Sequence, residues 1–304
     1  MSKIKVFLCE HIHPQARKYL EGFAEIVDDW GRLCEADAII NRNLNLNSMI
    51  LTKAEKLKVI AVHGTGLDGV DLEATKKRGI EVFSTPHMNT DSVAELIVTL
   101  VLALERNINS AVRLIDSGEE YPNSPAFLMG NEIGGKVLGL IGTGEIARRA
   151  AFILKNGFGM KVCAWSRSFN EKKASELGYD YCESIEAVFE KADIINIGMA
   201  LTPDTEGIID YNKLCHAKKD AILINTARGR LIKEEDLVKA LSNKILAGAA
   251  CDVFASEPPM KDNPLLKFDR FIATPHIGAN TDEALYRVGM AAVKGIEERL
   301  CRTK

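Results

Sequence analysis

The sequence predicts an α/β protein with two doubly wound parallel sheets, and three observations lead there. Short apolar runs alternate with longer amphipathic stretches along the chain, as expected when each strand needs a crossover helix before the next parallel strand. The alternation stops over residues 118–135, a stretch of Gly, Pro, Asn and Ser without clear periodicity, and then restarts. The first strand after the restart runs into a glycine turn, Gly142-Thr143-Gly144-Glu145-Ile146-Ala147. At 304 residues the chain is long enough for two domains of ordinary size.

In the first part, strands are expected at 5–8, 38–40, 58–61 and 81–83, with helical stretches at 14–22 and 72–78. Gly79 closes the second of these as a helix C-cap. A long helix is expected to begin near Ser92, because Ser92-Val93-Ala94-Glu95 has capping-box spacing and an apolar face follows through Leu96, Val98, Leu100, Val101 and Leu104. After the connection, strands are expected at 136–141, 161–165, 194–197, 221–225, 248–251 and 271–273, and a closing helix at 282–300.

Composition removes several function classes. A net charge of −3 gives no electrostatic reason to expect nucleic acid or an anionic membrane as partner. No apolar run approaches the roughly 20 residues needed to span a bilayer, and the N-terminus lacks signal-peptide anatomy. The 7 cysteines form no CxxC pair, so neither a disulfide framework nor a zinc site is suggested. His11, His13 and His216 show no metal-ligand spacing. No metal and a reducing, cytoplasmic location are the expectations.

The glycine turn has a mechanism. Gly142-x-Gly144-x-x-Ala147 fits the dinucleotide-binding pattern. Gly142 permits the sharp turn, Gly144 allows close backbone approach to a pyrophosphate, and Ala147 lets the helix pack on the strand. Thr143, Glu145 and Ile146 complete the loop, whose helix N-terminus offers unpaired N–H groups to phosphates. An NAD site would place a carboxylate at the end of the next strand, but the chain reads Trp165-Ser166-Arg167-Ser168. A serine and an arginine suit a 2′-phosphate, so NADP is favoured over NAD.

Three later segments each follow a predicted strand, where ligands bind in open α/β sheets. They are Asn225-Thr226-Ala227-Arg228-Gly229-Arg230, Gly248-Ala249-Ala250-Cys251-Asp252-Val253-Phe254 with Glu257-Pro258 after it, and Thr274-Pro275-His276-Ile277-Gly278-Ala279. With these segments, and with Gly64-Thr65-Gly66-Leu67-Asp68-Gly69-Val70-Asp71 and Leu201-Thr202-Pro203, the sequence resembles the D-2-hydroxyacid dehydrogenase family, which includes phosphoglycerate dehydrogenases and glyoxylate/hydroxypyruvate reductases. The resemblance covers nearly the whole chain. It implies a Rossmann cofactor domain, residues 99–277, inserted into a flavodoxin-like substrate domain, residues 1–98 plus 278–304, with a hinge around a cleft. It also implies a homodimer held through the cofactor domain.

The family's arginine, glutamate and histidine match Arg228, Glu257 and His276. A 2-oxo acid needs its carboxylate held and its carbonyl polarised, which a guanidinium fork can do. His276 is the natural proton donor, and Glu257 would fix its tautomer and favour the imidazolium. The resemblance puts Thr226, Ala227 and Asp252 on the cofactor, Asp252 facing the nicotinamide carboxamide. It puts the substrate carboxylate against the backbone N–H groups of His63, Gly64, Thr65 and Gly66. Phosphoglycerate dehydrogenase-like members carry arginines in this loop and in the preceding one. Here Val62 stands at the first place, and Asn41 or Arg42 at the second. The sequence therefore favours an NADP-linked reductase of a small, unphosphorylated 2-oxo acid such as glyoxylate or hydroxypyruvate. An NAD-dependent D-3-phosphoglycerate dehydrogenase and a non-catalytic dinucleotide sensor stay open as alternatives.

Overall fold

The computed structural model describes residues 3–301, which divide into two units: those up to Ser92 with those from Ala279, and Val93–Gly278. The chain thus leaves the first unit before the expected residue 98 and returns at Ala279.

The first unit holds five parallel strands: β1 (Ile4–Leu8), β2 (Ala24–Val27), β3 (Ala38–Asn41), β4 (Val59–Val62) and β5 (Glu81–Ser84). Their spatial order, β2-β1-β3-β4-β5, is the flavodoxin-like one. Both faces are covered, which is why the strands read as continuous apolar runs. Val6, Leu8, Ile40 and Ala61 face one cluster with Ala292, Val293 and Ile296 of the closing helix. Phe7, Ile39, Ile60 and Val62 face the other. Strand β2 was not expected. It follows the helix Pro14–Phe23 with no turn residue between, sits at the sheet edge, and carries Glu25, which pairs with Arg32 at 2.7 Å.

The closing helix, Asp282–Leu300, begins where expected. The Thr281 side chain caps it by accepting from the Ala284 N–H, and Asp282 and Glu283 sit favourably in its first turn. The helix expected from Ser92 instead runs Thr90–Glu105. Ser92 is therefore inside it rather than its cap, and its hydroxyl is shared with Thr281 Oγ1 at 2.8 Å.

The second unit holds β6 (Val137–Ile141), β7 (Lys161–Trp165), β8 (Asp180–Tyr181), β9 (Ile194–Ile197), β10 (Ile222–Asn225), β11 (Gly248–Cys251) and β12 (Phe271–Ala273). All pair in parallel, in the order β12-β11-β10-β9-β6-β7-β8, the Rossmann arrangement with one further strand at the end. The order reverses between β6 and β9, so the loops after those strands flank the crevice where a ligand binds in such sheets. Among the described residues no helix is long and apolar enough to cross a membrane.

Candidate active site

The loop after β6 carries the expected glycines. Gly142 has φ +102°, and a Cβ there would lie 2.5 Å from the Gly198 carbonyl oxygen of the loop after β9. Only glycine lets these two loops approach so closely at that backbone conformation. Gly144 is the N-cap of the helix Glu145–Phe158 and offers no side chain to its N–H groups. Thr143 shares a hydrogen with Ser166 across 2.9 Å, tying the glycine loop to the turn after β7. Within β9, next to this crevice, the amide of buried Asn196 has neither atom hydrogen-bonded among the described residues. An uncapped helix start beside a glycine crevice fits a dinucleotide pyrophosphate.

At the turn after β7, Arg167 is two-thirds exposed and lies 3.9 Å from Asp204, a surface ion pair of small worth. Sequence reasoning missed a second cation there. Lys173 donates to the Ser168 carbonyl at 2.7 Å, bringing its ammonium onto the same turn. No short motif marks it; it is placed because Asn170 caps the helix Glu171–Leu177 and turns the chain back.

The loops after β10, β11 and β12 bring Arg228, Glu257 and His276 together. Asn225, fully buried at the end of β10, accepts from the Ala227 N–H and donates to the Arg228 carbonyl, which shapes the 226–228 turn. Gly229 then presses on the next loop: a Cβ there would fall 1.9 Å from the Phe254 carbonyl carbon. That contact sets the strand-end loops of Arg228 and Glu257 against one another. Glu257 Oε2 lies 2.7 Å from His276 Nδ1, and its Oε1 accepts from the Phe254 N–H at 3.1 Å. Glu234 supports the same loop by accepting from the Ala255 N–H and from Asn263. Burial pushes the Glu257 carboxyl up. The hydrogen bond and charge of His276, the Phe254 N–H and the charge of Arg228 outweigh it, leaving the group below its ordinary value. A carboxylate is thereby fixed on one imidazole nitrogen, Nδ1.

Asp252, directly after β11, is buried and accepts hydrogen bonds from the loop that carries His276. Thr226 and Ala227 are partly exposed at the mouth of the β10 loop. Among the described residues no group of three or more His, Cys, Asp or Glu side chains could hold a metal.

The loop after β4 belongs to the first unit. His63 is buried, and its Nε2 has no hydrogen-bond partner among the described residues. Burial, aided by the charges of Arg42 and His11, lowers it from the ordinary 6.5 to about 4. The Gly64 N–H is already used by the Val62 carbonyl and Thr85 Oγ1. A substrate carboxylate would share this N–H with those two acceptors; Thr65 and Gly66 are partly or fully exposed. Arg42 directly follows β3, with its guanidinium 3.3 Å from Asn280 Oδ1 and 3.5 Å from His11 Nε2. Glu10 holds that loop by accepting from the Arg42 and Asn43 N–H groups.

Residues 98–278 match the family model described as D-isomer specific 2-hydroxyacid dehydrogenase, NAD binding domain. The chain belongs to the D-isomer specific 2-hydroxyacid dehydrogenase family. Its relatives include a D-3-phosphoglycerate dehydrogenase from Methanocaldococcus jannaschii, 36% identical over 98% of this chain and 57% of that enzyme. The chain thus spans little more than half of that relative's length. A glyoxylate reductase from Thermococcus litoralis is 36% identical over 95% of this chain and 91% of its own. Among solved structures, the TT0316 protein from Thermus thermophilus superposes with a TM-score of 0.86 at 31% identity, covering 95% of this chain and 94% of that one. The family is one of oxidoreductases that act on CH–OH donors with a nicotinamide dinucleotide. Of the residues in this dehydrogenase that sequence reasoning did not single out, Asn225, Gly229 and Glu234 place loops, and Lys173 brings a second cation to the turn after β7. Their signal is geometric and has no sequence spacing of its own.

Proposed function

We propose that the chain is an NADP(H)-dependent reductase of a small 2-oxo acid of the glyoxylate or hydroxypyruvate kind, and that it also oxidises the matching D-2-hydroxy acid. The observation that carries this is the Glu257–His276 pair at 2.7 Å, with the charge of Arg228 felt at Glu257. The bound dinucleotide supplies the hydride in reduction. Arg228 holds the substrate carboxylate and polarises the carbonyl through its planar fork of donors. His276 Nε2 gives a proton to the carbonyl oxygen as it becomes an alkoxide, and Glu257 stabilises the imidazolium before the transfer. In the oxidative direction His276 removes the hydroxyl proton.

Several features support the finer parts of the proposal. Arg167 and Lys173 put two cations at the turn where a 2′-phosphate would sit, and no carboxylate ends β7. Supporting a homodimer, the helix Ile108–Ser117 buries none of its residues, and Ile108, Val112 and Ile115, on one face, are each more than half exposed. All seven cysteines are free thiols, which suits a cytoplasmic location.

A second reading, an NAD-dependent D-3-phosphoglycerate dehydrogenase, draws support from the resemblance, which puts Asn41 or Arg42 at one of the two places where such enzymes carry an arginine. Against it, His63 is neutral near pH 7 and adds no second positive charge. The test is steady-state turnover of NADPH with glyoxylate or hydroxypyruvate against NAD with 3-phosphoglycerate, alongside His276→Gln. General acid–base catalysis is worth about 10²–10⁴-fold, so the His276→Gln rate should fall by that order. Unchanged turnover in His276→Gln, or no turnover of any 2-oxo acid by a protein that binds NADPH, would remove the proposal.

A further inference from the structure

We propose that Asp252 is a positioning residue for His276, acting through the loop 274–278. The inference rests on the catalytic reading of His276 given above. Asp252 is only 1% exposed, yet its carboxylate is matched by donors rather than by a cation. Oδ1 accepts from Thr274 Oγ1 at 2.6 Å and from the Ile277 N–H at 2.8 Å. Oδ2 accepts from the Gly278 N–H at 2.8 Å. The Asp252 carbonyl accepts from the His276 N–H, also at 2.8 Å. The loop therefore wraps around this one residue, with bonds on both sides of the histidine.

His276 needs such a restraint. Its φ is +53°, the left-handed region that non-glycine residues seldom occupy. A backbone in a sparsely populated conformation persists only when its surroundings over-determine it. Here the fixed points are the N–H groups of 276, 277 and 278 and the hydroxyl of Thr274, all converging on Asp252. Released from them, the loop would relax to an ordinary φ and swing the imidazole away from Glu257. Three of the roughly four acceptor sites of a carboxylate are occupied by the loop, so contact with the nicotinamide carboxamide, the role implied by resemblance, can take at most the remainder. The choice of Asp over Asn follows as well. An amide would set an N–H₂ against N–H or O–H donors on one side or the other, and would lose the charge-assisted part of every bond.

The test compares Asp252→Asn and the milder Thr274→Val with wild type and with His276→Gln. Each is measured for kcat at saturating NADPH, for NADPH affinity by fluorescence, and for His276 ring titration by NMR in enzyme without cofactor. Positioning predicts a kcat loss of tenfold or more in Asp252→Asn and a smaller loss in Thr274→Val, with NADPH affinity within about threefold of wild type. It also predicts that the His276 titration shifts as the ring loses Glu257. Weakened NADPH binding with kcat and the His276 titration unchanged would overturn the proposal and make Asp252 a cofactor contact. Because Thr274→Val deletes one hydroxyl only, it decides the matter even if Asp252→Asn does not fold: a wild-type His276 titration there counts against positioning. Full activity in His276→Gln would instead remove the catalytic reading beneath it.

Discussion

His63 should make the first unit lose stability in mild acid. Its folded ring takes up a proton only near pH 4, whereas the unfolded chain's ring does so near 6.5. Between those values the unfolded state binds more protons, so the stabilisation is complete above the upper one and is lost as pH falls through the window. Lowering the pH from 7 to 5 should cost the folded state about 2 kcal/mol from this one residue. The perturbation is His63→Gln, which removes the titration and keeps a polar side chain. The assay is urea denaturation at several pH values in a Trp165→Phe background, where Trp30, packed edge-on against Phe7 at 4.8 Å in the same unit, is the remaining tryptophan. The wild type and the variant should converge by about 2 kcal/mol between pH 7 and pH 5. Parallel pH dependences in the two proteins, or a His63 ring signal titrating near 6.5, would refute the reasoning.

Arg167→Ala should weaken NADPH by roughly tenfold or more and NADH far less, since a hydrogen bond to a charged group contributes about 1.5–3 kcal/mol; equal losses would remove its role at a 2′-phosphate. Glu257→Gln should depress kcat and move the ionisation seen in kcat/KM towards lower pH, because a neutral amide no longer favours the imidazolium; an unmoved profile would count against the pair. Glu257 itself, held below its ordinary value, contributes stability that is present above the ordinary carboxylate range and lost as pH falls through its folded value. Gly229→Ala should cost about 3 kcal/mol in urea denaturation, because its Cβ would overlap the Phe254 carbonyl carbon at 1.9 Å; stability equal to wild type would contradict the contact. Val112→Glu should convert a dimer to monomer in sedimentation velocity, and an unchanged sedimentation coefficient would exclude this helix from the interface.

The sheets were legible because their strands are buried on both faces and read as unbroken apolar runs. Strands β2 and β8 were not: one is a charged edge strand fused to a helix, the other is two residues long. Capping spacing at Ser92 misled because the local signal competes with the Thr281 hydroxyl, which lies 189 positions away in sequence. The candidate catalytic residues were legible because each follows a strand and carries distinctive chemistry. Their supports were less so: Gly229 acts through a close approach to the distant Phe254 backbone, and the Asp252 carboxylate, though visible in its motif, meets N–H groups 25 and 26 positions away. The Gly64 N–H illustrates the same limit. The glycine is visible in the sequence, but its occupation by Val62 and Thr85 depends on strand β5 arriving beside it.

The insertion of one unit into the other has a consequence for how the chain is made. One face of the first sheet is covered by Ala292, Val293 and Ile296, which lie on the last helix. Its strands are complete by Ser84, but the ribosome must first deliver the whole second unit. At about 5–20 residues per second, the roughly 190 intervening residues take on the order of 10–40 s. For that time Val6, Leu8, Ile40 and Ala61 lack their final cover, an apolar sheet face open to chaperones and to neighbouring chains.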